Sequence, residues 1–451
     1  MSNHIDATAT NRRSMFVAAF GAIIEWYDFS VFFFVAAILQ QEFFSGRNSL
    51  LLTLGIGAAG FVFRPVGAVI LGQLGDKIGR KQVLVISGVL MSISMFGIAL
   101  IPGQSIIGMW GGIGVVFFRC LAGFSVGAEY TGIMIFLTES VQANRRGLAA
   151  SWAAANSEIG LLLAIGLSAL ITNLLSPHAA TVWGWRLLFG IGGALAALMV
   201  PLRSQMREPA TFSRHQREAA ELQEISPLRQ VLRYQRRAII VTFLISVVGS
   251  ASYFVNISYM PTYLVEVVHM KISDSLIVGI PAAVVAIPAA LFAGIASDYI
   301  GRKKAMSTLL GVMLITTIPA YAALLNAGPT FARFAAAGLA SLAAGWSAVA
   351  ASAAPEQFTV DGRSSGMAIG YNVGTVLFGG LSPIFVVALI QTSESPLAPA
   401  IYLTVIVFIA GILILWLARD MTACPDPEYH TPPGDRTLKV ELNRSGARAE
   451  R

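Results

Sequence analysis

Charge is what this chain most lacks. Of its 451 residues only 12% are charged, and 55% are hydrophobic, with mean hydropathy +0.70. A soluble globular protein carries roughly 25% charged residues. So few charges cannot cover so much apolar surface in water, so the solvent for most of the chain is expected to be lipid. The same composition excludes an intrinsically disordered chain. Cysteine is nearly absent: Cys120 lies in an apolar run and Cys424 in a tail, which excludes a disulfide framework. Histidine is scarce, and His4, His178, His215, His269 and His430 fall in loops or tails, so no metal cluster is expected. The Gly-rich runs "GIGAAG" (Gly55 to Gly60) and "GIGGALAA" (Gly190 to Ala197) have no preceding strand and no following Walker lysine, so they read as close helix contacts and not as phosphate loops. Nucleophile, base and metal constellations are missing, so neither enzymatic chemistry nor a cofactor is expected. No cleavable signal peptide is expected either, because the first apolar run, 15–39, is too long for an h-region and lacks a small-residue cleavage site.

What the chain has is long apolar runs. A membrane-crossing helix needs about 20 apolar residues. Twelve segments qualify, at approximately 15–39, 50–72, 83–102, 106–135, 148–174, 186–202, 238–264, 275–297, 304–326, 330–354, 365–391 and 397–418, the sixth being short. The predicted class is an all-α membrane protein of twelve transmembrane helices in two six-helix bundles. The division reads as an N-terminal tail 1–14, a bundle 15–202, a linker 203–237 with amphipathic helical pieces, a bundle 238–418 and a C-terminal tail 419–451.

The net charge of +7 could suggest a nucleic-acid partner, but the bases sit between apolar runs, which points to membrane topology instead. With the N-terminus placed in the cytoplasm, 25 of the 31 Lys and Arg residues fall on inside segments and only Arg47, Arg186, Lys271 and Arg333 fall outside. The positive-inside rule therefore puts both termini in the cytoplasm. The remaining two bases, Arg64 and Arg119, lie inside spans.

A polar island repeats. "GQLGDKIGRK" (Gly72 to Lys81) joins spans two and three, and "GIASDYIGRK" (Gly294 to Lys303) joins spans eight and nine. A second pair follows the same spacing: Glu139 precedes Arg146 by seven residues, and Glu356 precedes Arg363 by seven. The two halves therefore run in parallel orientation, an internal symmetry typical of secondary transporters. Glycine allows a reversal through positive φ. An aspartate at a helix end can meet a neighbouring helix N-terminus, and an arginine can fork onto a carboxylate across the gap. Asp76, Arg80, Glu139, Asp298, Arg302 and Glu356 are thus candidates for a cytoplasmic gate. The plainer reading is that these loops only signal topology.

Ionisable groups at membrane depth are costly and are functional candidates by default. Glu25, Asp28, Arg64, Arg119, Glu129 and Glu158 all fall in the first half, whereas the second half offers neutral groups at that depth: Tyr253, Asn256, Tyr259, Trp346, Tyr371 and Asn372. Charge recognition and proton handling are therefore expected in the first half. Arg119 and Arg64 are candidates for a substrate carboxylate, with Tyr253, Asn256, Tyr371 and Asn372 as neutral contacts. Each arginine has an alternative reading as a permanent helix tie, which suits Arg64 somewhat better. Glu25 and Asp28 are three apart on one helical face, and two acids so close in low dielectric do not both ionise readily. The proton-coupling candidates are Asp28 first, then Glu129 and Glu25. Glu158 reads equally as a pairing partner, and "VFFFV" (Val31 to Val35) as packing or lipid-facing surface.

The loop "GQLGDKIGRK" resembles the signature loop of the major facilitator superfamily, and "RCLAGFSVG" (Arg119 to Gly127) resembles its fourth-helix motif. More narrowly, "EWYDF" (Glu25 to Phe29), "FRPVGAVILGQLGD", "GFSVGAEYTG", "WGWR", "YMPTYL" and "FGGLSP" resemble the metabolite:proton symporter family across nearly the whole chain. "DGRSSG" departs from that family's usual loop after span ten, and the short tail has no heptads, unlike that of the osmosensing members. The resemblance implies proton-driven transport of citrate and other carboxylates, 2-oxoglutarate, shikimate, or proline and betaine. The expected function is proton symport of a small organic acid, a di- or tricarboxylate, by alternating access across a bacterial inner membrane. The alternatives are symport of a zwitterion such as proline or betaine, or export of a carboxylated compound. A membrane sensor would need a sizeable soluble output domain. The expected partners are the solute, protons and the lipid bilayer, with the chain working as a monomer.

Overall fold

The computed structural model describes residues 20–43, 49–78, 80–127, 129–139, 141–205, 227–326, 328–359 and 363–418. Both tails, most of the linker and the side chains of Asp76 and Arg80 lie outside what is described.

The described residues form an all-helical protein of twelve spans. α1 runs over 20–34 and continues, after a turn at Val35, as Ala36–Phe43. α2 is Ser49–Ile78, α3 Arg80–Leu100 and α4 Met109–Ser125 continued by Glu129–Glu139. α5 is Arg146–Leu174 and α6 Trp185–Ser204. In the second half, α7 is Arg236–Tyr253, extended through a π-turn at Phe254–Ser258 into Met260–Glu266. α8 is Ile272–Ile300, α9 Arg302–Asn326 and α10 Gly328–Ala353. α11 is Arg363–Thr375, extended through a second π-turn at Val376–Gly380 into Ser382–Ser393, and α12 is Ala398–Leu417. Ten of these are long and apolar enough to cross a membrane by length and composition alone. α1 and the apolar Gly55–Leu71 stretch of α2 complete the twelve. The sixth is longer than its apolar core of 186–202: helix extends back to Trp185 and forward to Ser204.

The polar islands are tighter reversals than their composition suggests. α2 stays helical through Asp76 to Ile78, and α3 restarts at Arg80. In the second copy α8 ends at Ile300 and α9 begins at Arg302. Gly301 alone turns the chain, at φ 91°, a conformation that favours a residue with no Cβ.

The two halves meet along α5 against α8 and α2 against α11. The first contact is made by small residues. A Cβ on Gly147 would stand 2.4 Å from the Gly294 carbonyl oxygen, and one on Gly294 would stand 2.5 Å from Ser151 Cβ. Only hydrogen at these positions lets the two backbones pass so closely, as in other lipid-embedded helix pairs.

Candidate functional site

The R-x-x-x-G-x-x-x-G pattern of α4 fixes the site's frame. Gly123 abuts Gly60 of α2, where an added Cβ would fall 1.7 Å from the Gly60 carbonyl oxygen. One turn on, a Cβ on Gly127 would fall 2.1 Å from the Arg64 carbonyl oxygen. The two glycines draw α4 against α2 and hold the backbone of Arg64 in place. Arg119, one turn before Gly123, reaches α1 from the same helix.

Each intramembrane arginine then meets an acid of "EWYDF". Arg119 Nη1 donates to Asp28 Oδ2 at 2.9 Å, and its guanidinium lies 4.7 Å from the centre of the Phe32 ring. Arg64 Nη1 stands 3.1 Å from Glu25 Oε1, but neither Glu25 oxygen attains hydrogen-bond geometry. The Arg64 guanidinium rests on the Phe61 ring at 4.5 Å. Thus one pair is tightly bonded and the other loosely held. Both border one small void inside the first bundle, lined by Glu25, Asp28, Arg64 and Arg119. Burial this deep is tolerable only because each charge has a partner.

A larger cavity lies between the bundles, with about 550 Å³ of empty space counting its open mouth. The first half contributes Trp26, Arg64, Tyr130, Ser157 and Glu158; the second contributes Tyr253, Phe254, Tyr371 and Asn372. Three of these hold buried polar atoms with no hydrogen-bond partner: Trp26 Nε1, both Glu158 carboxylate oxygens and the Tyr253 hydroxyl. Such groups are costly unless something enters to meet them. Asn372 Nδ2 donates across the interface to the Gly127 carbonyl at 3.2 Å, where the break in α4 leaves that oxygen available.

Two sets of contacts between the halves flank this cavity. Towards the end where the linker joins the bundles, Arg302 bonds Asp298 at 2.8 Å and Glu356 at 3.2 Å. Asp298 also accepts from the backbone of α5, and Arg363 of α11 bonds Glu139 of α4 at 2.6 Å, so both contacts join the halves. Towards the other end Phe29 and Phe61 close edge-on against Phe254 of α7, with centroids 4.9 and 5.0 Å apart.

The predicted residues divide accordingly. Arg64, Tyr253, Tyr371 and Asn372 line the cavity. Arg119 does not: it is buried behind α1, bonded to Asp28, because the motif glycines press its helix against α2. Asn256 does not either. Its π-turn aims it into the second bundle, where Oδ1 accepts from the Tyr321 hydroxyl at 3.2 Å. Glu129 is ion-paired with Arg203, a base that the sequence reading placed in the linker; it ends α6 and is buried. Ser87 Oγ lies 3.2 Å from the same carboxylate. "VFFFV" is core and faces no lipid, since Phe32, Phe33 and Phe34 are all buried. Glu158 has no hydrogen-bond or ion-pair partner among the described residues, so of its two readings the pairing one finds no partner there. Trp26 and Tyr130 are not among the predicted site residues, although each stands next to an intramembrane acid, Glu25 and Glu129, a signal that points to them.

Comparison with known proteins places the family and the fold. Residues 14–419 match the family described as "Sugar (and other) transporter". The glycine betaine/proline/ectoine/pipecolic acid transporter OusA of Dickeya dadantii is 32% identical over 415 residues, covering 89% of this chain and 82% of that one. The proline/betaine transporter of Escherichia coli is 31% identical over 416 residues, with the same coverage. The citrate-proton symporter of Klebsiella pneumoniae is 29% identical over 389 residues, 85% of this chain and 86% of that one. Among solved structures, the xylose transporter XylE of E. coli in a partially occluded, inward-open form superposes with a TM-score of 0.74 at 18% identity, over 92% of this chain and 99% of that one, a likeness of fold. With twelve helices in two bundles, the chain is a multi-pass membrane transporter, not an enzyme, and belongs to the sugar (and other) transporter family of the major facilitator superfamily.

Proposed function

We propose that the protein is a proton-coupled symporter of a small zwitterion, of the betaine or proline kind, that works by alternating access. The observation that carries this is the charge inventory of the central cavity: one arginine, in contact with Glu25 without hydrogen-bond geometry, and one carboxylate, Glu158, with no partner among the described residues. A solute bearing one negative and one positive group matches both. A di- or tricarboxylate would bring further negative charge into a site whose second arginine, Arg119, is already bonded elsewhere, and would meet Glu158 unscreened. The names of the Dickeya and Escherichia relatives favour the same solute class.

In this mechanism the solute carboxylate takes the Arg64 fork and displaces Glu25. The freed Glu25, buried and without its counter-ion, accepts a proton, so the loaded carrier moves both together. Asp28 and Arg119 border the same void and hold the adjoining negative and positive charge in register. The charged seal and the aromatic seal open in turn as the bundles, 15–202 and 238–418, rock about the cavity. The carrier works as a monomer in a bacterial inner membrane, with both termini and the linker cytoplasmic, and imports its solute. Reconstitution into proteoliposomes with an acidic exterior tests this. Betaine or proline should accumulate and citrate should not. Accumulation of citrate alone would restore the organic-acid reading, and uptake indifferent to the proton gradient would reject coupling.

A further inference from the structure

We infer that Glu158, walled by the rings of Trp26, Tyr130 and Tyr253, is the subsite for the positively charged nitrogen of the solute. The inference rests on the zwitterion reading above and adds the aromatic surround that selects a substituted ammonium.

Glu158 sits in the middle of α5, buried, and both its oxygens lack a hydrogen-bond partner. It takes part in no ion pair among the described residues, and the basic group lining the same cavity, Arg64, stands against Glu25. A carboxylate buried without a partner is costly until a proton or a counter-charge meets it, and the solute's cation would be the counter-charge. Around it are aromatic faces. The Trp26 and Tyr253 rings are 4.6 Å apart at 59°, and Trp26 and Tyr130 are 5.7 Å apart at 72°, so three rings from three helices and both halves converge there. Rings set at such angles present both faces and edges, and faces attract a cation, most strongly one with a weak hydration shell. A carboxylate behind aromatic walls is the chemistry that recognises a substituted ammonium.

The alternative use of Glu158 is as the proton carrier. That use and the cation subsite exclude each other. If the solute cation needs the ionised carboxylate, then solute and proton compete for that group, and competition of this kind yields exchange instead of symport. A symporter with a cation at Glu158 must take up its proton at another acid, which the freed Glu25 supplies.

The test compares glycine betaine with 3,3-dimethylbutanoate, which replaces the quaternary nitrogen by carbon and keeps the carboxylate and shape. Binding is measured by titration on the purified full chain. The wild type should prefer betaine. Glu158→Gln should weaken betaine by about tenfold or more, as expected for a desolvated cation site, and leave the isostere unchanged or tighter; that retained binding also shows the variant is folded. Glu158→Asp should recover part of the betaine preference. Betaine bound by Glu158→Gln as by the wild type, or an equal loss of both ligands, would overturn the assignment. A wild type that binds neither compound, or prefers the isostere, would instead sink the zwitterion reading itself.

Discussion

Asp298, at the end of α8, accepts hydrogen bonds from the backbone N–H groups of Gly147 at 2.8 Å and Leu148 at 2.9 Å. A carboxylate of one bundle thus caps the first turn of α5 in the other, while Arg302 steadies it at 2.8 Å. Capping contacts of this kind are worth about 1 kcal/mol, and in the proposed cycle this one would be broken when the linker end opens. Asp298→Asn should therefore populate the linker-open state several-fold more, by about the factor that 1 kcal/mol implies. In a background without Cys120 and Cys424, the alkylation rate of a cysteine introduced at Ser151, which faces Gly294, reads this directly. An unchanged rate would reduce the contact to a local cap.

The two arginines should separate cleanly. Arg64→Gln removes the carboxylate fork from the cavity, and solute affinity should fall by roughly ten- to a hundredfold, the worth of a charge-assisted hydrogen bond. Arg119→Gln leaves Asp28 buried without its partner, so its main effect should be a loss of stability of about 3–5 kcal/mol. Thermal unfolding and solute titration of both variants distinguish the two roles. The reverse pattern would return Arg119 to the solute.

Coupling should follow the loose pair. In Glu25→Gln, pH-driven accumulation should vanish, while solute exchange across the membrane, which needs no net proton movement, continues. Asp28→Asn provides the comparison: it disrupts the bonded pair and should lower protein stability and the rates of both modes together. Counterflow and gradient-driven uptake in the same proteoliposomes give both readings. Gradient-driven uptake that persists in Glu25→Gln would move the proton site elsewhere.

The α2–α4 contact predicts a sharp difference between two glycines of one span. Gly123→Ala would drive a Cβ into the Gly60 carbonyl, and overpacking of this kind costs about 1–3 kcal/mol or more. Gly132→Ala meets nothing within 4 Å and should be neutral or slightly stabilising. The melting temperatures of the two variants check the geometry on which Arg64 depends.

Helix number, the parallel repeat and the family resemblance were legible in the sequence because lipid imposes long apolar runs and the loop pattern occurs twice. Asp298 meeting a helix N-terminus was also legible, because an aspartate beside a turn glycine has few other uses. The partition of the arginines was not. Arg64 and Arg119 look alike in sequence, and only the rotation of α2 against α4, set by Gly123 and Gly127, turns one to the cavity and the other to Asp28. Arg203 was hidden for a simpler reason: it ends a helix beside a basic linker and reads as one more linker base, although it lies buried against Glu129. Asn256 was misplaced because a π-turn shifts the helical phase, and no residue in "FVNIS" signals that shift.

Arg64, Glu25, Glu158 and Trp26 all belong to the first bundle, while the second bundle brings only neutral groups to the cavity. In the proposed cycle the solute would therefore keep its counter-ions as the bundles swing and exchange only its neutral neighbours from the second bundle. No bare charge has to be created at mid-membrane on the way across. The crossing barrier then reflects the repacking of uncharged surfaces, and the site should hold its solute with similar strength whether it faces one side or the other. Such a carrier would release its cargo when Glu25 gives up its proton and reclaims Arg64, and its direction would be set by the gradients on either side.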